Sequence, residues 1–293
     1  MKTLRLALST FALVSILLGC LPSTALAEGP QGRLVIIGGG ERTDEIMKRF
    51  VDLAGGPAKA VIVVIPLASG NAKEAGERGE AEFKALGVNK ASWLLFTRDE
   101  ALSGGIAERL TGATGVYFTG GDQIRVTRVI LGTPVHKALL DLYRAGAVIG
   151  GTSAGAAIMS KIMITGEELL HKDSSSAFVS ILKGNVETVE GLGFLDQVVI
   201  DQHFIKRKRL NRLISVVLEH PELPGIGIDE STALIVNPGG TFDVLGEGTI
   251  MVFDARRATA ISTDAHGNMA ARGIVTSIYR SGESFTLTPP PRP

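Results

Sequence analysis

Five consecutive residues, Gly151-Thr152-Ser153-Ala154-Gly155, fit the pattern G-x-S-x-G, with the apolar run Ala147 to Ile149 before them and small helix-compatible residues after. A serine on a sharp strand-to-helix turn presents its hydroxyl at the C-terminal edge of a sheet, where open α/β folds bind ligands. The flanking glycines tolerate strained backbone and let a substrate approach. The Ala154 amide, at the helix N-terminus, would be one donor to an oxyanion. The plainer reading is a glycine-rich turn with a helix-capping serine. Nucleophilic catalysis by Ser153 therefore requires a base and an orienting carboxylate elsewhere in the chain.

Five histidines compete to be the base. His136 and His220 lie in or at the ends of polar helices and His266 lies in a turn, so all three are expected in solvent. His171 sits in a polar loop and stays an alternative. His203 ends the run Val198 to Gln202, which would bring its imidazole to the edge where Ser153 should lie. An acid on the far side of the ring would fix its tautomer and stabilise the imidazolium. Glu230 follows the strand-like run Gly225 to Asp229 (GIGID) at the same edge, and Asp201, two residues from His203, competes for that role. The chain order Ser, His, Glu differs from the Ser, Asp, His order of α/β-hydrolases and disfavours that fold family.

Lys206-Arg207-Lys208-Arg209 and Arg212 fall at the expected start of a helix running to Glu219. Cations there oppose the helix macrodipole, so the cluster points to an anionic ligand or an acidic partner. Arg209 and Arg212, three apart, share a face, and Arg207 reaches from the first turn. A second glycine turn, Phe118 to Gln123 (FTGGDQ), could place the Gly121 amide as a second oxyanion donor and Gln123 against substrate. The run Gly38-Gly39-Gly40 resembles a nucleotide loop only superficially, because G-x-G-x-x-G needs a glycine where Thr43 stands. There is no H-E-x-x-H, no cysteine pair and no histidine cluster, so neither a metal nor a cofactor is expected.

The elements that must hold these groups are legible as alternating runs. Strands are expected at Arg33 to Ile37, Ala60 to Pro66, Ala91 to Phe96, Gly115 to Phe118 and Ala147 to Ile149, with helices at Thr43 to Leu53, capped by Thr43, and at Ala72 to Leu86. Val/Ile-rich runs bounded by glycine and separated by helices imply a parallel sheet covered on both faces. After residue 220 short strands follow (Gly225 to Ile228, Ala233 to Val236, Thr241 to Leu245, Thr249 to Phe253), joined by turns such as Asn237-Pro238-Gly239-Gly240. They read as antiparallel additions to one sheet edge.

The 293 residues are 45% hydrophobic with balanced formal charge, enough for one large core and without the excess of cations that nucleic acid would require. Lys2 and Arg5 precede the apolar stretch Leu6 to Gly19, and Ala25-Leu26-Ala27 offers a cleavage site, so residues 1–27 read as a secretory signal and 28–293 as a single domain. A rival reading takes 1–19 as a lipoprotein signal, with a lipid on Cys20 as the one link to a membrane. Cys20 is the single cysteine, so the exported chain has no internal disulfide. A homodimer is left open.

With serine, histidine, glutamate and arginines in order, the chain resembles the cyanophycinase family of serine peptidases, related to the aspartyl dipeptidases. The pieces that match are FTGGDQ (118–123), GGTSAGAAIMS (150–160), GLGFLDQVVIDQHFIKRKRLNRL (191–213) and GIGIDESTALIV (225–236). The stretch Gly166 to Ala177 departs from the family pattern. The resemblance implies Ser153 as nucleophile, His203 as base and Glu230 as its partner. It implies a substrate pocket from Gln123, Asp201, Gln202, Arg207, Arg209 and Arg212. The fold implied is α/β, a doubly wound, mostly parallel sheet in a three-layer sandwich (class I glutamine amidotransferase-like), with C-terminal antiparallel strands. The substrate implied is cyanophycin, a poly-aspartate backbone with arginine on each side chain, cut to β-aspartyl-arginine dipeptides. An aspartyl or isoaspartyl dipeptidase and a non-catalytic exported binding protein are the alternatives. A cysteine-type glutaminase is excluded because position 153 is serine.

Overall fold

A computed structural model describes residues 29–170 and 179–287; the segment 1–27 expected to be a signal, Cys20 and His171 lie outside them. The first half of the chain alternates as its apolar periodicity demands. In order come β1 (Arg33–Ile37), α1 (Asp44–Leu53), β2 (Val61–Ile65), α2 (Ala72–Ala85), β3 (Lys90–Trp93), α3 (Arg98–Leu102), α4 (Gly105–Arg109), β4 (Gly115–Phe118), α5 (Gln123–Ile130), α6 (Pro134–Arg144), β5 (Val148–Thr152) and α7 (Ala154–Ala157). The expected helix boundaries agree with α1 and α2. Thr43 caps α1, its hydroxyl accepting from the Ile46 amide at 3.4 Å.

Five of these strands pair in parallel in the order β3-β2-β4-β5-β1, with Ile37 opposite Thr152 and Phe118 opposite Gly151. Their C-terminal ends therefore share one edge, which brings the Gly38, Gly120 and Ser153 turns together. One face of the sheet packs Ile46, Met47, Phe50 and Val51 of α1 against Val35 and Ile37, with Phe83 of α2 alongside. Phe50 sits edge-on to Tyr117, centroids 5.6 Å apart, over Gly150, where a Cβ would come within 2.7 Å of its ring. Glycine in the middle of β5 is thus a packing requirement. Burying a phenylalanine of this kind stabilises the fold by about 1.5–3 kcal/mol.

The remaining elements are β6 (Ile162–Glu168), β7 (Val186–Glu190), β8 (Val199–Gln202), α8 (Leu210–Glu219), β9 (Gly225–Ile228), β10 (Thr232–Val236), β11 (Thr241–Gly246), β12 (Thr249–Asp254), β13 (Thr259–Thr263), β14 (Met269–Arg272), β15 (Val275–Arg280) and β16 (Ser284–Thr286). Here the structure corrects the expectation of one sheet with antiparallel additions. β10, β11 and β16 do extend the β1 edge antiparallel, with the Asn237-Pro238-Gly239-Gly240 turn closing β10 onto β11. But β9 and β12 leave for a second, six-stranded mixed sheet, ordered β15-β12-β9-β8-β6-β7. β13 and β14 pair separately. The second sheet contributes Ile200, Ile226, Ile228 and Ile250 to the largest core cluster, together with Leu34, Ile36, Val116 and Phe118 of the first sheet. Its other face carries α8 through Leu213, Val216 and Val217. Both faces of the central sheet are covered, one by α1 and α2 and the other by helices and this second sheet. Among the described residues no helix is long and apolar enough to cross a membrane.

Candidate active site

Ser153 follows β5 directly and takes φ 55°, ψ −111°, a backbone conformation that side chains rarely occupy. Its neighbours make this turn possible. A Cβ on Gly155 would meet the Phe118 carbonyl at 2.5 Å, and one on Gly151 would meet the Gly155 backbone at similar distance. Only glycine at both positions lets strand and helix close around the serine.

His203 follows β8 and also carries a positive φ, 48°. It is 5% exposed. Its Nε2 lies 2.8 Å from Ser153 Oγ and its Nδ1 2.6 Å from Glu230 Oε1. Glu230 sits in the Asp229–Ser231 crossover by which the chain passes from β9, in the six-stranded sheet, to β10, in the eight-stranded one. The neutral tautomer that fits both contacts has Nδ1–H donating to the carboxylate and Nε2 accepting from the serine hydroxyl. Burial lowers the His203 pKa below its ordinary value; the positive charges of Arg207 and Arg209 push the same way, against Glu230. The imidazole is thereby kept neutral and able to take a proton.

The structure decides between the two acids proposed for the histidine: Asp201 points away from the ring. Its carboxylate is fully buried and holds Arg212 through two hydrogen bonds, one of 2.7 Å to Nε and a shorter one to Nη2. The expected helix start is also corrected. α8 begins at Leu210, so Lys206, Arg207 and Lys208 belong to the preceding turn, whose Ile205 and Lys206 amides donate to Asp229 Oδ1 at 3.1 and 3.0 Å. Arg209 is the N-cap and Arg212 lies in the first turn. Their charges are met by protein first: Arg212 by Asp201, and Arg209 by the carbonyl and side-chain oxygens of Gln202, both at 2.8 Å. Burial and the neighbouring Arg212 lower Arg209 to about 10. Arg207 is exposed and borders Ser153.

Two lobes open on either side of Ser153. One, of 430 Å³, is lined by Arg207, Arg209, Arg212 and Gln202 and also by Glu167 and Glu187. Gln123 and Gly121 line it too, but both Gln123 amide contacts run to the Ile164 and Thr165 carbonyls, at 2.9 and 2.6 Å, tying α5 to β6. The other, of 450 Å³, is lined by Arg42, Glu82, Tyr117, Thr119 and Thr152. Gly120 lies against the nucleophile, where a Cβ would come 3.3 Å from that of Ser153. Gly121, at φ 140°, can carry no side chain because one would collide with the Ala68 carbonyl.

The Gly38-Gly39-Gly40 run, unassigned from sequence, is the floor of the site. The Ser153 amide donates to the Ile37 carbonyl at 3.0 Å, the His203 amide to Gly38 at 2.6 Å, and the Ser231 amide to Gly39 at 2.9 Å. A Cβ on Gly39 would come within 2.2 Å of the His203 ring, and one on Gly40 would be 2.7 Å from Glu230 Cβ. Three glycines after a buried strand, matching no phosphate loop, were the available signal. Of the other histidines, His266 is exposed and His220 half-buried. His136 is not solvated as expected: its Nδ1 accepts from the Gly132 amide at 3.3 Å and its Nε2 lies 2.9 Å from the Leu192 carbonyl. Among the described residues no three potential metal ligands cluster.

This geometry would let His203 take a proton from Ser153 Oγ, and the sequence comparison decides the family. Residues 34–244, which span Ser153, His203 and Glu230, match Peptidase family S51. The chain belongs to the cyanophycinase family of serine peptidases. It is similar to a cyanophycinase of Synechococcus elongatus, 36% identical over 267 residues that cover 88% of this chain and 80% of that one. A cyanophycinase of Trichormus variabilis is 36% identical over 262 residues, covering 87% and 85%. Among solved structures, a peptidase from an acI-B1 actinobacterium superposes with a TM-score of 0.64 at 21% identity, covering 89% of this chain and 98% of its own. That likeness is one of fold. As a family member the protein is a serine-type peptidase.

Proposed function

We propose that this peptidase hydrolyses cyanophycin to β-aspartyl-arginine dipeptides through an acyl-enzyme on Ser153, acting as an exopeptidase. The observation that carries the proposal is the Ser153–His203–Glu230 relay, with contacts of 2.8 and 2.6 Å, opening on a lobe lined by both arginines and glutamates. A substrate bearing both carboxylates and guanidinium groups needs both. The curated relatives named cyanophycinase support the same substrate.

In the acylation step the Ser153 hydroxyl attacks the scissile carbonyl while its proton passes to His203 Nε2, and Glu230 stabilises the imidazolium. The amide N–H groups of Ala154 and Gly121 hold the oxyanion; that of Ala154, first in α7, has no partner within its helix. Collapse breaks the C–N bond, and His203 returns the proton to the leaving amine. Water then adds to the acyl-enzyme with His203 again as base, and releases Ser153. Arg207 and Arg209 anchor substrate carboxylates, while Asp201, Arg212 and Gln202 hold those arginines in place. The fold is read as the class I glutamine amidotransferase-like variant of the three-layer arrangement. Export, by the segment 1–27 or with a lipid on Cys20, completes the proposal.

Incubation of the protein with cyanophycin and mass analysis of the products tests it. Accumulation of a species with the mass of β-aspartyl-arginine is expected. Cleavage of aspartyl dipeptides with no release from cyanophycin would favour the aspartyl or isoaspartyl dipeptidase alternative.

A further inference from the structure

The lobe that Arg207 and Arg209 line carries acids as well, and one of them is held ready for a cation. Asp122, Glu167 and Glu187 all border it. Asp122 is committed to the protein: it caps α5 through the Ile124 amide at 2.8 Å and lies 3.6 Å from Arg125. Neither Glu167 nor Glu187 has a cation at ion-pairing distance among the described residues. Glu167 is exposed and its carboxylate is unrestrained, whereas Glu187 is half-buried and its carboxylate is fixed.

A β-bulge does the fixing. In the β6–β7 pair Ile164 faces Thr188 and Glu168 faces Val186, so Thr165, Gly166 and Glu167 together stand opposite Glu187. Gly166 takes φ 106°, which a side chain would resist. The Thr165 hydroxyl donates to Glu187 Oε2 at 2.7 Å and accepts from the Glu167 amide at 3.2 Å. The Gln123 side chain fastens the same bulge to α5 through the Ile164 and Thr165 carbonyls. Bulges commonly re-aim a side chain beside an active site. Here the second oxygen of Glu187 is left without a hydrogen bond among the described residues.

In a β-aspartyl-arginine unit the arginine is joined through its amino group and keeps both a carboxylate and a guanidinium. Arg207 and Arg209 suit the first. The second presents N–H donors and a positive charge, which a fixed carboxylate matches with charge-assisted hydrogen bonds. Because Thr165 already restrains Glu187, less side-chain freedom is lost on binding there than at the exposed Glu167. We propose that Glu187 is the residue that selects arginine, its carboxylate accepting from the substrate guanidinium while Thr165 and the bulge hold it at the lobe. This role rests on the cyanophycin reading above and names the residue that makes arginine a requirement.

The test compares wild type with Glu187→Gln and Thr165→Val on two substrates: a (β-Asp-Arg) dimer and the same dimer built with citrulline, which has the length of arginine and no charge. Wild type should prefer the arginine dimer by about tenfold or more in kcat/KM, as expected for a hydrogen bond between charged groups. Glu187→Gln should lose that preference, through a higher KM for the arginine dimer with the citrulline dimer unchanged. Thr165→Val should shift the preference the same way by less, and it is read alone if Glu187→Gln does not fold. A wild type indifferent to citrulline, a preference kept in the folded variants, or an equal loss on both dimers overturns the role of Glu187. If wild type cleaves cyanophycin and any of these results is found, the arginine selection alone falls. If wild type releases nothing from cyanophycin or the arginine dimer, the substrate reading falls, and the selection with it.

Discussion

The two sheets make unlike contributions to one reaction centre. The eight-stranded sheet ends its parallel strands in glycine turns and supplies Ser153, the proposed nucleophile, with the backbone around it. The six-stranded sheet supplies the neutral imidazole of His203 after β8, and charge from Asp201 within β8 and from the arginine turn that follows. Glu230 lies where the chain crosses from one to the other. Neither sheet holds a relay alone, and the join is tight. The carbonyls of Ile37, Gly38 and Gly39 accept in turn from Ser153, His203 and Ser231, and these three donors all take positive φ at the seam. Strain that appears on both sides of a seam is what a site held in a fixed geometry would show.

That division can be broken in order of expected effect. Ser153→Ala should reduce turnover by about 10⁴-fold or more with little change in thermal unfolding, since the hydroxyl alone is lost. Comparable turnover in the variant would remove the eight-stranded sheet from the chemistry. Asp201→Asn strikes the other side. It leaves Arg212 buried without the carboxylate charge of Asp201, and removing one partner of a buried pair costs about 3–5 kcal/mol. Chemical denaturation should show that loss, and a stable variant with merely weaker substrate binding would instead make Asp201 a substrate contact. Gly39→Ala works on the seam itself, pushing a methyl into the His203 ring. A displacement near 1 Å costs about 100-fold in turnover, read as kcat on folded protein.

The smallest expected effect concerns pH. His203 must be neutral to accept the Ser153 proton, so activity falls as pH drops through its pKa. That pKa is lowered by burial and by Arg207 and Arg209, which places the acid limb of kcat/KM below the ordinary histidine range. Arg207→Gln removes one of the cations that disfavour the imidazolium, so the limb should move to higher pH. A limb that stays in place, or moves down, would detach the arginine turn from the histidine.

Much of the eight-stranded sheet was legible in the sequence because its signals are local. Val61–Ile65 and Arg33–Ile37 are continuous apolar runs, Thr43 is a cap, and Gly151 and Gly155 bracket the serine. The six-stranded sheet was not, for a physical reason. β9 and β10 are both short buried runs, and nothing in GIGI or TALIV states which sheet each will join. That choice is made by partners distant in sequence, β8 for one and β1 for the other. The start of α8 was missed in the same way. Lys206 and Arg207 have good helix propensity, but Asp229, in the crossover after β9, captures their turn. Gly38 to Gly40 could be recognised as a turn, while its contact with His203 and Glu230 exists only once both sheets are assembled.

A fluorophosphonate, which phosphonylates activated serine hydroxyls with loss of fluoride, tests the relay across the seam most directly. Peptide mass mapping after treatment should find the phosphonyl group on Ser153, formed rapidly in wild type and abolished in a folded His203→Ala variant. A label on another serine, or equally fast labelling of Ser153 without His203, would contradict a nucleophile on one sheet activated by a base on the other.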